Sequence, residues 1–326
     1  MRRREFVRLL GGAAATWPIE ASAQQLSLPV VGFLHPATPE SFADRLRAFR
    51  QGLKDTGLVE GESVAIVYRW AENQPDRLPA LAADLAQRRV AVIACAGGIG
   101  SIMALRATRT TIPIVFALGE DPVARGLVAS IARPGGNLTG INFLNNELAA
   151  KRLEILRELI PGAVRVAVLV NPTGPSESIA KDIDAAARAM GLQIRFLNAT
   201  NGREIDAAFA LLRNDRPDAL FVGPDPTFNN RRKQIVLQAM RHGLPAAYAS
   251  REYAEAGGLM SYGTDFLDTF RQVGVYAGRV LKGAKPADLP VVQSAKFELV
   301  INQTAARILD LDVPGPLLAR ADEVIE

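Results

Sequence analysis

The sequence predicts an α/β protein made of two doubly wound parallel-sheet lobes joined by a three-crossover hinge. Three observations predict it. Short apolar runs of strand type alternate with amphipathic helical stretches from residue 28 to residue 142. The same alternation starts afresh after residue 146, a duplication of plan without obvious residue identity. The length, 326 residues, exceeds one core of usual size. The expected division is a signal peptide at 1–23, a first lobe of 26–142 plus 263–289, and a second of 143–262 plus 290–326.

In the first half, residues 28–34 read as a strand ending at His35-Pro36. Phe42, Leu46, Phe49 and Leu53 recur at helical spacing, and Gly57 marks the stop. Strand 64–68 follows, then a helix lined by Leu78, Leu81 and Leu85. Residues 90–94 are almost unbroken apolar sequence, as a strand covered on both faces requires. A glycine-rich loop at 96–101 opens a helix containing Met103 and Leu105, and 112–118 is the next strand.

Residues 121–140, DPVARGLVASIARPGGNLTG, are where one half turns into the other. Asp121 is a helix-cap residue type and Pro122 suits the first helical position. Val123, Leu127, Val128 and Ile131 supply an apolar face, and Arg133-Pro134-Gly135-Gly136 a stop. A helix is therefore expected there, followed by a strand over 138–143 and a new helix starting at Asn145-Asn146.

The second half reads as a helix through Leu153, Leu156 and Ile160, strand 164–170, helix 179–190, strand 194–197, helix 205–212, strand 219–222, helix 235–240 and strand 246–249. A strand at 259–262 precedes a helix striped by Phe266, Phe270, Val273, Ala277 and Val280. Residues 283–290 form a polar loop, 297–301 a late strand and 304–309 a helix, with a tail at Ile325. Further crossovers are expected near 261–265 and near Pro290. Three crossings make a hinge rather than a loose tether.

Residues 1–23 have the parts of an exported protein's leader in order: MRRREFVR, a weakly apolar run, and the cleavage site Ala21-Ser22-Ala23. Export by the twin-arginine route to the periplasm is expected. Cleavage there removes four Arg and two Glu, so the formal charge falls from +4 to +2 and a nucleic-acid partner loses its simplest support. One cysteine, Cys95, forms no internal disulfide, and two distant histidines build no His-rich metal site. No metal, cofactor or nucleic-acid partner is expected. G-x-S-x-G, Walker A and H-E-x-x-H patterns are missing, so no enzyme is expected either.

In open α/β sheets ligands bind outside the carboxyl ends of the strands. The candidate contacts follow from the loops there. Gly97, Gly98 and Ser101 lead into a helix start, which suits an anion such as a carboxylate; the alternative is a tight strand–helix turn. Gly119 and Asp121 follow the next strand, with Asp121 also serving as a cap. Asn171 ends a strand in the second half. Asp225, between two prolines, either receives a ligand ammonium or caps a turn. Tyr248, Tyr253, Tyr262 and Phe228 offer aromatic surface or ordinary packing.

The segment 121–140, the run GGLMSYG at 257–263, LKGAKPADLP at 281–290 and residues 296–302 resemble the ABC-transporter substrate-binding family of tryptophan/tyrosine type. The resemblance implies a type I periplasmic binding fold and capture of a small molecule for an inner-membrane ABC permease. By similarity, loops 97–101 and 118–121 would hold the ligand from one lobe, with Asn142, Asn171, Asp225 and Tyr248 meeting it from the other. An aromatic or branched amino acid is the expected ligand and a monomer the expected state. A periplasmic sensor serving a membrane kinase and an exported enzyme are the alternatives; a repressor would need a DNA-reading domain where the leader stands.

Overall fold

The computed structural model describes residues 28–143, 148–173, 176–213 and 215–326. The expected leader at 1–23 and the expected helix start at Asn145-Asn146 lie outside them. In chain order the first half forms β1 (Val30–His35), α1 (Ala43–Asp55), β2 (Ala65–Trp70), α2 (Leu78–Gln87), β3 (Val92–Cys95), α3 (Ile99–Ala107), β4 (Ile114–Leu118) and β5 (Leu138–Phe143). The second begins with α4 (Leu148–Leu159), β6 (Arg165–Val170), α5 (Ser176–Ala189), β7 (Gln193–Asn198), α6 (Gly202–Leu211) and β8 (Ala219–Val222). It continues with α7 (Pro226–Asn230), α8 (Arg232–Arg241), β9 (Ala246–Tyr248), α9 (Arg251–Glu255) and β10 (Met260–Thr264). The chain ends with α10 (Phe266–Leu281), β11 (Val292–Ser294), β12 (Phe297–Asn302), α11 (Gln303–Ile308), α12 (Gly315–Arg320) and β13 (Glu323–Ile325).

The strands make two separate sheets, β11-β5-β4-β3-β1-β2 and β13-β12-β10-β9-β8-β6-β7. Every pairing in the first is parallel. Such a sheet needs cover on both faces. α1 and α10 supply one side, where Phe33, Phe49, Leu53, Phe270, Val273 and Ala277 pack together. α2, α3 and the 121–131 segment supply the other, around Leu85, Ile93, Ile102 and Phe116. The second sheet is likewise sandwiched, between α4, α5, α11 and α12 on one face and α6 to α9 on the other.

The chain exchanges sheets between β5 and α4, between β10 and α10, and between β11 and β12. The last exchange differs from the expectation near Pro290. β11 pairs with β5, Gln293 opposite Asn142, so residues 292–294 join the first sheet and not the second. β12 then enters the second sheet antiparallel to β10, Gly263 opposite Glu298. The direction has a simple cause. The chain arrives from the other lobe at the carboxyl edge, so the first strand it lays down runs away from that edge.

The helix expected after Asp121 does not form. Asp121 Oδ1 accepts from Val123 and Ala124 N–H at 2.8 and 3.2 Å, as a cap would. Gly126 then takes a left-handed conformation (φ 62°), and the Leu127 and Val128 N–H groups both return to the Pro122 carbonyl. One turn is made and closed. Leu127 and Val128 are buried, whereas Val123 is exposed. The apolar spacing therefore covers the core with a folded loop; glycine at position 126 outweighs the helical pattern.

Among the described residues no helix is long and apolar enough to cross a membrane.

Candidate functional site

Parallel strands put the ends of β1, β2, β3, β4 and β5 on one edge of the first sheet, and those of β6 to β10 on one edge of the second. The two edges face each other. Asn230 Nδ2, on α7 after β8, donates to Asn73 Oδ1, in the turn after β2, at 2.7 Å. Arg45 on α1 pairs with Glu252 on α9. The Arg45 guanidinium also lies 4.4 Å from the centre of the Phe266 ring, at the second exchange. A cleft between the lobes is thus bounded by loops from both. An open groove lined by Ala83, Val90, Ala104, Thr108 and Ile112 lies instead at the amino-terminal ends of β3 and β4. The rule for α/β sheets favours the carboxyl edge.

On the first lobe, Gly97 and Gly98 shape the start of α3. A Cβ on Gly97 would fall 2.1 Å from Pro36 Cδ, so the loops after β1 and β3 touch only because that position is glycine. Gly98 has φ 79° and precedes the first helical residue, Ile99. Ser101 is fully buried, with its Oγ turned toward the Gly97 carbonyl at 3.5 Å. There it supports the loop. Gly119 makes room for Phe143, whose ring would stand 2.7 Å from an added Cβ.

Asn142 belongs to β5 and so to the first lobe, not to the opposite one as the resemblance had it. Its side-chain amide donates to the Leu118 and Glu120 carbonyls at 2.9 and 2.7 Å, tying the loop after β4 to the end of β5.

On the second lobe, two expected contacts meet. Asn171 Nδ2 donates to Asp225 Oδ2 at 3.1 Å, and Asp225 Oδ1 caps α7 through the Phe228 N–H at 3.1 Å. Burial is the largest influence on Asp225 and raises its pKa, against the lowering effect of these donors. Tyr248 lies elsewhere. It is 1% exposed, stacks on Tyr253 with ring centres 4.5 Å apart, and fills the space beside Gly258. Its ring belongs to the core between β9 and α9, and Phe228 is buried in the same core. Tyr262 remains half-buried at the second exchange, its carbonyl accepting from Arg152 Nε at 2.7 Å.

Sequence reasoning reached the loop at 35–38 that begins with His35, but not the other groups around this edge. His35 is buried at the end of β1, its ring centre 3.9 Å from that of Phe42, with Trp70 at 5.7 Å. Its Nδ1 accepts from the Ala37 N–H at 3.1 Å. Burial chiefly, and then Arg45, lowers its pKa to about 3. Glu298, at the hinge, takes Arg251 at 3.0 Å, yet burial pushes its pKa up to about 7. Arg45 and Glu252 are 207 residues apart, and no local signal joins them. Arg152 did leave a signal: it interrupts the apolar stripe of Leu148, Ile155, Leu156 and Leu159.

Two sandwiched lobes, three exchanges between them and a cleft at facing carboxyl edges define a bilobal binding protein of the type I periplasmic kind. The family described as ABC transporter substrate binding protein matches residues 31–325, and the chain belongs to it. A tyrosine-binding protein of Clostridioides difficile is 25% identical over 267 residues, 81% of this chain and 76% of that one. A conserved domain protein from Vibrio cholerae superposes with TM-score 0.83 at 25% identity, over 90% of this chain and 99% of the other. An ABC domain in complex with L-Trp from Streptococcus pneumoniae gives TM-score 0.83 at 24% identity, over 92% and 100%.

Proposed function

We propose that the protein is the periplasmic solute-binding component of an ABC importer and captures an aromatic or branched amino acid between its closing lobes. The observation that carries the proposal is the meeting of the two carboxyl edges across Asn73–Asn230 and Arg45–Glu252. Contacts made only when the lobes are together let a ligand shift the hinge equilibrium toward closure. The relatives named for tyrosine and tryptophan support the ligand class. The Asn171–Asp225 pair is suited to an ammonium group. In this reading the leader directs twin-arginine export, an inner-membrane ABC permease receives the cargo, and the working unit is a monomer.

The test is thermal unfolding of the mature chain with each common amino acid at millimolar concentration. A ligand at one hundred times its Kd adds about 2.7 kcal/mol of stability, enough to raise Tm visibly. L-Tryptophan, L-tyrosine or a branched amino acid is expected to do so. No shift with any amino acid removes the assignment.

A further inference from the structure

We infer that Arg152 is the receptor for the carboxylate of the captured molecule, an assignment that rests on the amino-acid reading above. Arg152 is fully buried on α4 and yet charged by chemistry. Its Nε donates to the Tyr262 carbonyl near the carboxyl end of β10. Its guanidinium carbon lies 5.4 Å from the centre of the Phe221 ring, close to the end of β8. Among the described residues Nη1 and Nη2 have no hydrogen-bond partner. Among the described residues no carboxylate stands within ion-pair distance of them.

Buried charges are normally paired, and a guanidinium with its terminal nitrogens unengaged is a planar fork matched to a carboxylate. Burial lowers its pKa to about 9, which still leaves it a cation at neutral pH. The ionisable groups acting on it are the hydroxyls of Tyr262 and Tyr253. A purely structural role explains Nε alone, since any donor would hold the Tyr262 carbonyl. The position suits a ligand contact as well. α4 opens the second lobe directly after the first exchange, and Tyr262 lies at the second.

The test titrates wild type, Arg152→Met and Arg152→Gln with L-tryptophan, indole-3-propionate, which lacks the amine, and tryptamine, which lacks the carboxylate. Both variants are expected to bind the two carboxylates at least tenfold more weakly and tryptamine as wild type does. Equal losses for all three probes, or none for the carboxylates, overturn the assignment. If wild type binds no probe but another amino acid raises its Tm, that amino acid and its amine-free and carboxylate-free analogues replace the probes; if no amino acid does, the amino-acid reading itself fails, and ligand-free melting in an acetate series decides the role of Arg152. Acetate should then stabilise wild type alone, and Arg152→Met should melt higher than wild type in its absence. A lower melting Met variant beside an acetate-indifferent wild type overturns the receptor role. Should the Met variant not fold, Arg152→Gln carries the acetate comparison.

Discussion

Two side chains near the cleft show how burial gives opposite pH responses. His35 has a folded pKa near 3, below its unfolded value of 6.5, so it stays neutral in the fold and must charge on unfolding in acid. Its contribution is present above pH 6.5 and is lost as pH falls toward 3, roughly 4–5 kcal/mol in all. Glu298 is raised from 4.5 to about 7, so its protonated form suits the fold. Its contribution is complete below pH 4.5 and disappears as pH rises through 7. Glu298→Gln should therefore melt higher than wild type at pH 8, with the gap closing by pH 4.5. A constant gap across that range would remove the titration account. Asp225 separates capping from ligand binding. Asparagine caps a helix as well as aspartate does. Asp225→Asn should therefore keep the Tm while weakening L-tryptophan binding, read by calorimetry. Unchanged affinity would assign Asp225 to the turn before α7.

At the scale of elements, the close pairing of α1 and α10 anchors the returning chain to the first lobe. A Cβ on Gly274 would lie 2.1 Å from the Phe49 carbonyl oxygen, and one on Gly52 1.8 Å from that of Arg271. The helices touch backbone to backbone. Gly274→Ala should cost about 1–3 kcal/mol, seen as a lower denaturation midpoint; an unchanged midpoint would show that the helices separate without penalty. The stripe that forms α10 was legible because Phe266, Phe270, Val273, Ala277 and Val280 keep helical period over about four turns. β3 was legible as an unbroken apolar run. The segment after Asp121 was misread because its period is helical while Gly126 turns left-handed. β11 was invisible, being three residues whose only claim to strand structure is the neighbour β5. Sequence likewise named the loops at the facing edges but not the long-range pairs that join them. Tyr248 read as a cleft residue because the strand end was correct and the side-chain direction was not visible.

For the whole molecule, the lobes are held face to face by few polar links. Arg45 and Glu252 are mostly enclosed, so the pair forms where water is limited. Glu252→Gln keeps the shape and removes the charge, and it should weaken closure. About 1.4 kcal/mol lost there corresponds to a tenfold weaker affinity for L-tryptophan in calorimetry. Unchanged affinity would make the pair incidental to closure. The family has been established across nearly the entire chain, and the remaining question is mechanical: whether capture and closure are one event. Small-angle scattering of residues 24–326, titrated with the amino acid that most raises its Tm, measures this directly. The account predicts a radius of gyration that falls to a lower plateau as the ligand saturates. A radius that stays constant through saturation would contradict it.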